Sequence, residues 1–294
     1  MTPQLRGHLA MLVFSTLVAG SFSLGSLTAN HIEPSAFNAV RFILAAIVLG
    51  LAALATTGID RSAFRSPWRY LVLGGFFAIY FVLMFEGLKT APPVSAAAVF
   101  TMTPIMAAGF GWILLRQILS GRTFVALLIG GVGALWVIFR ADLSALLRFQ
   151  IGWGEIVYFI GCASHAVYTP LVKKLNRGEN AIVFAFGTLV GGGGLLLIYG
   201  GGDIARTDWA NLPVIVWITL AYITVFATAA SFVLVQYSVQ RLPAAKVMAY
   251  TYLVPSWVIV WEVVLGQPIP HVLVLGGVGL TIIALGLLLR DDSK

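Results

Sequence analysis

The chain has 294 residues, 60% of them hydrophobic and only 10% charged, with 18 basic side chains against 11 acidic ones and a single cysteine, Cys162. So few charges cannot cover a soluble surface of this size, which excludes a cytosolic enzyme, a secreted disulfide scaffold and a disordered chain. The formal charge of +7 does not point to nucleic acid, because the basic residues stand singly between apolar runs, as in a polytopic membrane protein.

A helix needs about 20 apolar residues to cross a hydrocarbon core of about 30 Å. Ten such runs follow one another: about 7–29, 34–57, 68–88, 92–115, 121–140, 152–174, 181–199, 213–240, 243–265 and 270–290. Turn or charge signals separate them, among them Glu33-Pro34, Asp60 to Pro67, Pro92-Pro93, Lys173 to Asn180 and Pro268 to Pro270. The first run follows Arg6 and exceeds the apolar core of a cleaved leader. Arg41 lies about a third of the way into the second run, where it could snorkel, as Lys246 could from the start of the ninth. Glu86, Glu155 and Glu262 fall toward the outer interface.

With the N-terminus in the cytoplasm, that side carries Arg6, Arg61, Arg65, Arg69, Arg116, Arg122, Lys173, Lys174, Arg177, Arg241, Lys246, Arg290 and Lys294. The other side carries Lys89, Arg140, Arg148 and Arg206, so thirteen basic residues against four place both termini inside.

The two halves echo each other. An offset of 146 brings Glu33 onto Glu179 and Gly130-Gly131-Val132-Gly133 onto Gly276-Gly277-Val278-Gly279. An offset of 151 brings Pro92 and Pro104 onto Pro243 and Pro255. The expected architecture is therefore an all-α membrane protein of ten transmembrane helices in two five-helix repeats, residues 1–148 and 149–294. Because five is odd, the second repeat inserts inverted, which is how many transporters alternate access around a midplane site. The glycine clusters, including Gly191 to Gly194, lie in apolar spans with no strand before them and read as helix-packing surfaces, not phosphate loops.

Ala19-Gly20-Ser21-Phe22, Pro34 and Arg41 to Ala46 resemble the first two spans of the drug/metabolite transporter superfamily, EamA-type. The Pro104 stretch with Gly130 to Gly133 resembles it too, and the second half repeats the pattern at Ala163 to Tyr168 and Leu253-Val254-Pro255. The resemblance covers nearly the whole chain and implies ten helices, two inverted repeats and export of small metabolites. Within the superfamily the chain is most similar to the bacterial aromatic amino-acid exporters of the YddG type. It departs from the pattern at Ala19 and His165, where the family usually has Trp, and at Gln117 and Gln267, where it commonly has Glu.

Ionisable groups at membrane depth are expensive and mark function by default. His165 falls near the middle of its span, with Tyr158, Cys162, Tyr168 and Thr169 on the same face. It either lines a cavity or hydrogen-bonds a neighbouring helix. Pro104 and Pro255 each remove one helical hydrogen bond, freeing the carbonyl of Phe100 or Thr251, and act either as hinges or as packing kinks. Near them lie Phe100, Thr101 and Thr103 in one copy, and Tyr250, Tyr252 and Trp257 in the other. The expected substrate site is Tyr80, Phe100, Thr101, His165, Tyr168, Tyr250, Tyr252 and Trp257, with an aromatic wall from the second copy and a small-residue wall at Ser95 to Ala98.

The cargo expected there is a small uncharged or zwitterionic metabolite, best an aromatic amino acid, stacked on the aromatic wall. Hydroxyls and freed carbonyls would hold its ammonium, and backbone N–H groups at a helix break its carboxylate. Phosphorylated cargo would need a midplane Lys or Arg, which this reading does not supply. No cofactor, metal, nucleic acid or obligatory protein partner is expected; the partners are the small molecule and the lipid of a bacterial inner membrane. A broad exporter of amphipathic or cationic drugs is the alternative, and an intramembrane enzyme is the rival of another class. No Walker lysine motif, HExxH or GxSxG occurs.

Overall fold

The computed structural model describes residues 2–118, 120–139, 141–147 and 151–289, with the backbone alone at Arg61 and Leu289. The expectations resting on Arg140, Arg148, Arg290 and Lys294, and on the repeat boundary at 148 and 149, lie outside the described residues.

Three rods open the chain: α1 (Pro3–Thr28), α2 (Pro34–Thr56) and α3 (Trp68–Leu88). Next, α4 (Pro93–Phe100) and α5 (Thr103–Leu115) make one rod broken at Thr101 and Met102. They are followed by α6 (Gly121–Ile138) and the short α7 (Leu143–Leu147). The second half runs α8 (Trp153–Leu175), α9 (Ala181–Arg206), then α10 (Val214–Thr224) and α11 (Ser231–Val239), joined by a π-helical segment, Val225–Ala230. Last come α12 (Ala244–Ala249) and α13 (Val254–Val264), linked by a 3-10 turn at Tyr250–Leu253, and α14 (Val272–Leu289). No strand occurs among the described residues.

Local chemistry sets the helix starts. Thr2 accepts the Leu5 amide at 3.2 Å, Ser120 that of Thr123 at 3.1 Å and Asn180 that of Ile182 at 2.9 Å. Proline occupies the first turn of α1, α2, α4, α5 and α13, where its missing N–H costs nothing. The paired Pro104 and Pro255 are thus not kinks inside continuous helices. Each stands in the first turn of a second half-helix, after a short turn at Thr101 and Met102 in one rod and a 3-10 turn at Tyr250–Leu253 in the other.

Eight of the rods are long and apolar enough to cross a bilayer, and the chain is a multi-pass membrane protein. Two of the ten expected spans fall short of that measure. α8 has 23 residues but carries Glu155, His165, Lys173 and Lys174, whereas α14 is apolar throughout and runs to the last described residue. Both still pack into the bundle: α8 lies against α3 and α5, and α14 along α6.

The packing has an exchange symmetry. Swapping the first five rods for the second five turns the α3–α8 contact into those of α1 with α10 and α11, and the α5–α8 contact into α1–α13. The same swap returns α2–α9 and α6–α14 to themselves. Glycine makes several of these contacts close. A Cβ on Gly133 would meet the Gly277 carbonyl and one on Gly277 the Gly133 carbonyl, while Gly74 and Gly192 abut in the same way between α3 and α9. Gly194, Gly276 and Gly279, by contrast, face open space, so only part of each glycine cluster serves packing.

A polar clamp ties the start of α3 to the α8–α9 loop. Arg69 is buried, donating to Glu179 at 2.6 Å and to the Leu175 carbonyl at 2.6 Å. Burial would push the Glu179 carboxyl up, but hydrogen bonds from Arg69 and the Arg177 amide outweigh it and hold the group below the usual carboxylate range. At the opposite end of the bundle Glu33 meets Lys89 at 3.4 Å on the surface.

Candidate functional site

Four of the expected site residues come together in the core. His165 of α8 is 1% exposed. Its ring stacks on Tyr80 at 4.6 Å and on Phe100 at 5.5 Å, meets Phe77 edge-on at 5.0 Å, and has Tyr168 at 6.1 Å. These centroid distances lie in the attractive range for aromatic pairs. Among the described residues neither ring nitrogen of His165 has a hydrogen-bond partner. Buried polar atoms are nearly always paired, so an imidazole caged by rings with both nitrogens unpaired is an unmet binding capacity.

The cage closes at both ends. Toward the Arg69 end, Gln236 donates to the Tyr168 hydroxyl at 2.8 Å, and Phe232 of α11 packs on Phe77 at 4.2 Å. Toward the Lys89 end, the Tyr80 and Tyr158 hydroxyls bond at 3.0 Å, and Phe22 of α1 approaches Phe100 and Tyr158 at 5.9 Å. Above them Ser95 donates to Glu155 at 2.8 Å. Glu155 is therefore buried in the bundle and not solvated at an interface. The cavity inside, bounded by α1, α3, Phe100, His165, Ala227 and Ser231, has a free volume of about 10 Å³, room for about one water. Ligand pockets run to about 300–1,000 Å³, so the rings must part to admit a cargo. Three larger hollows hold none of the candidate residues: two, of about 700 and 440 Å³, at the two ends of the bundle, and one of about 320 Å³ between α3 and α9.

The other expected residues stand elsewhere. Thr101 turns its hydroxyl back to the Ala98 carbonyl at 2.6 Å. Tyr250 faces His8 of α1, hydroxyl to Nδ1 at 3.0 Å. Tyr252 inserts its ring over Gly130 between α6 and α14, and its carbonyl accepts from Thr281 at 2.9 Å. Trp257 is half-buried on α13 with its indole N–H unpartnered. The ring-lined wall around His165 thus comes mainly from α3, α4 and α8, not from the second copy's proline region. At the α4–α5 break the amides of Thr101 and Met102 close on Ala98 and Val99, and Thr103 takes the Phe100 carbonyl at 2.5 Å. These groups satisfy one another and leave little for a substrate's charges.

Sequence reading missed Phe22, Phe77, Phe81, Phe232 and Gln236. Phe77, Tyr80, Phe81 and Met84 repeat at helical spacing on α3, and that stripe was the available signal. Arg41 and Lys246 do not snorkel. Arg41 is fully buried, and Lys246 is 7% exposed. The Arg41 guanidinium lies 3.6 Å over the Phe81 ring and reaches the π-helical segment, so the interior does hold a cation.

Known proteins share this exchange-symmetric bundle. The chain belongs to the EamA-like transporter family, which it matches twice, over residues 5–139 and 152–290. It is 26% identical over 277 residues to the uncharacterized transporter YyaM of Bacillus subtilis (strain 168), covering 92% of this chain and 90% of that one. A shorter match, 33% identical over 102 residues, is to the aromatic amino acid exporter YddG of Ancylobacter novellus, covering 34% of this chain and 33% of the exporter. A solved crystal structure superposes with a TM-score of 0.72 at 20% identity, over 99% of this chain and 98% of its own, which establishes the shared fold.

Proposed function

We propose that this transporter exports aromatic amino acids across the bacterial inner membrane by alternating access, with ten spans in two inverted five-helix repeats, residues 1–148 and 149–294, and both termini in the cytoplasm. One observation carries the reading of cargo: a histidine with two unpaired ring nitrogens, stacked between Tyr80 and Phe100. An aromatic side chain entering the cage replaces ring–ring contacts that the protein gives up, and its polar groups meet the imidazole and the Tyr80, Tyr158 and Tyr168 hydroxyls. The exchange-symmetric contacts and the double family match support the inverted repeat. The basic residues of the loops support the orientation, and the partial YddG match supports the cargo class.

Counterflow tests the proposal. Proteoliposomes preloaded with unlabelled L-phenylalanine should take up labelled L-phenylalanine transiently and saturably, with tryptophan and tyrosine competing and aspartate and lysine not. Uptake competed by amphipathic cations but by no aromatic amino acid would favour a drug exporter instead.

A further inference from the structure

Arg41 is a fully buried cation beside the cage that none of the contacts above explains. Its Nε donates to Thr228 Oγ1 at 2.5 Å, Nη1 to Asn38 Oδ1 at 3.2 Å and Nη2 to the Ala227 carbonyl at 3.3 Å. Asn38 is itself fixed by donating to the Pro34 and Phe81 carbonyls at 2.8 and 3.3 Å. A guanidinium has five N–H donors, so each terminal nitrogen keeps one. Among the described residues no carboxylate pairs with Arg41. A desolvated cation without a counter-ion is costly, and ionisable groups at membrane depth mark substrate and ion pathways.

Its surroundings connect it to the cavity. Phe81, whose ring lies under the guanidinium, lines the cavity, as do Ala227 and Ser231. Ala227 belongs to the π-helical segment, and its carbonyl accepts from both Arg41 and Ser231. Single wide turns of this kind loosen the backbone ladder and recur at functional sites. The Phe81 ring and Ala227 thus touch the guanidinium and also line the cavity.

We propose that Arg41 reads the carboxylate of the cargo through the wall formed by Phe81 and the π-helical segment. The transported class is then carboxylate-bearing aromatic molecules, and amphipathic cations are repelled. This rests on the aromatic-cargo reading above and sharpens it. When the rings part for the cargo, Phe81 leaves the guanidinium face, and the two spare N–H groups take the carboxylate in a low-dielectric site where such bonds are strongest.

The test measures inhibition of labelled L-tryptophan counterflow by unlabelled L-tryptophan and by tryptamine, which lacks the carboxylate. The protein is the full chain in proteoliposomes, as wild type, Arg41→Lys and Arg41→Gln. Wild type should prefer tryptophan by about tenfold or more. Arg41→Gln should abolish the preference, weakening tryptophan and, with the repelling charge gone, strengthening tryptamine, and Arg41→Lys should fall between. Equal affinity of wild type for both compounds overturns the role of Arg41 and leaves the aromatic exporter standing. So does a proportional loss for both compounds in the variants, which would make Arg41 only a brace between α2 and the π-helical segment. Should Arg41→Gln fail to insert, the wild-type preference and Arg41→Lys decide the matter. Wild type responding to neither compound overturns the aromatic-cargo reading and this inference with it.

Discussion

His165 and Glu179 show two opposite ways of placing a polar side chain in this bundle. His165 is buried and finds no hydrogen-bond partner among the described residues, so its polar atoms contribute little to stability in the closed state. Replacing it by Phe should leave the melting temperature of the detergent-purified protein unchanged or raised, while the affinity for an aromatic amino acid falls about tenfold. A drop in both together would mean that the imidazole holds the fold. Glu179 is the reverse case, fully engaged by Arg69 and the Arg177 amide. Glu179→Gln should cost about 1.5–3 kcal/mol, the worth of hydrogen bonds to a charged group, since Arg69 keeps its carbonyl partners. Because its folded pKa lies below the unfolded value of about 4.3, the carboxylate stabilises the fold above that pH. The contribution is lost as pH falls through the folded value. Thermal melts taken through that acid range should show a steeper loss of stability in wild type than in Glu179→Gln, and parallel curves would contradict the clamp.

At the level of the elements, the chain announces much of itself. The rods are legible because about 20 apolar residues are needed per crossing, and the proline breaks because proline lacks a backbone N–H and is disfavoured in mid-helix, although Pro170 sits within α8. The π-helical segment left no such mark, since Val225 to Ala230 reads as ordinary apolar helix. For the same reason Tyr250, Tyr252 and Trp257 could not be assigned a face. A helix apolar all round has no polar stripe to show which side meets the core. Arg41 was illegible because snorkelling and burial look alike in sequence, whereas His165, Tyr80, Phe100 and Tyr168 stood out as polar or aromatic groups at depth. The matched breaks carry a further expectation. If the half-helices pivot there, Pro104→Ala and Pro255→Ala should insert normally and slow turnover severalfold at saturating substrate, the double variant more than either. Normal rates in both single variants would reduce the breaks to packing.

For the whole molecule, the topology and the transport cycle are separable claims. Single cysteines in a Cys162→Ala background should resist impermeant maleimide in intact cells when placed near Arg65, Arg122 or Arg177, and should react near Lys89 or Arg206. Labelling at the Arg122 loop from outside would undo the inverted repeat. The cycle is tested most directly at the two closures of the cage, with cysteine in place of Met84 toward the Lys89 end and of Gln236 toward the Arg69 end. Each is probed with impermeant maleimide applied first to one face of the membrane and then to the other. Alternating access predicts that each site reacts from one face only and that adding L-tryptophan shifts the two rates in opposite senses. Both sites reacting at once from the same face, or neither rate responding to tryptophan, would contradict a carrier that closes around His165.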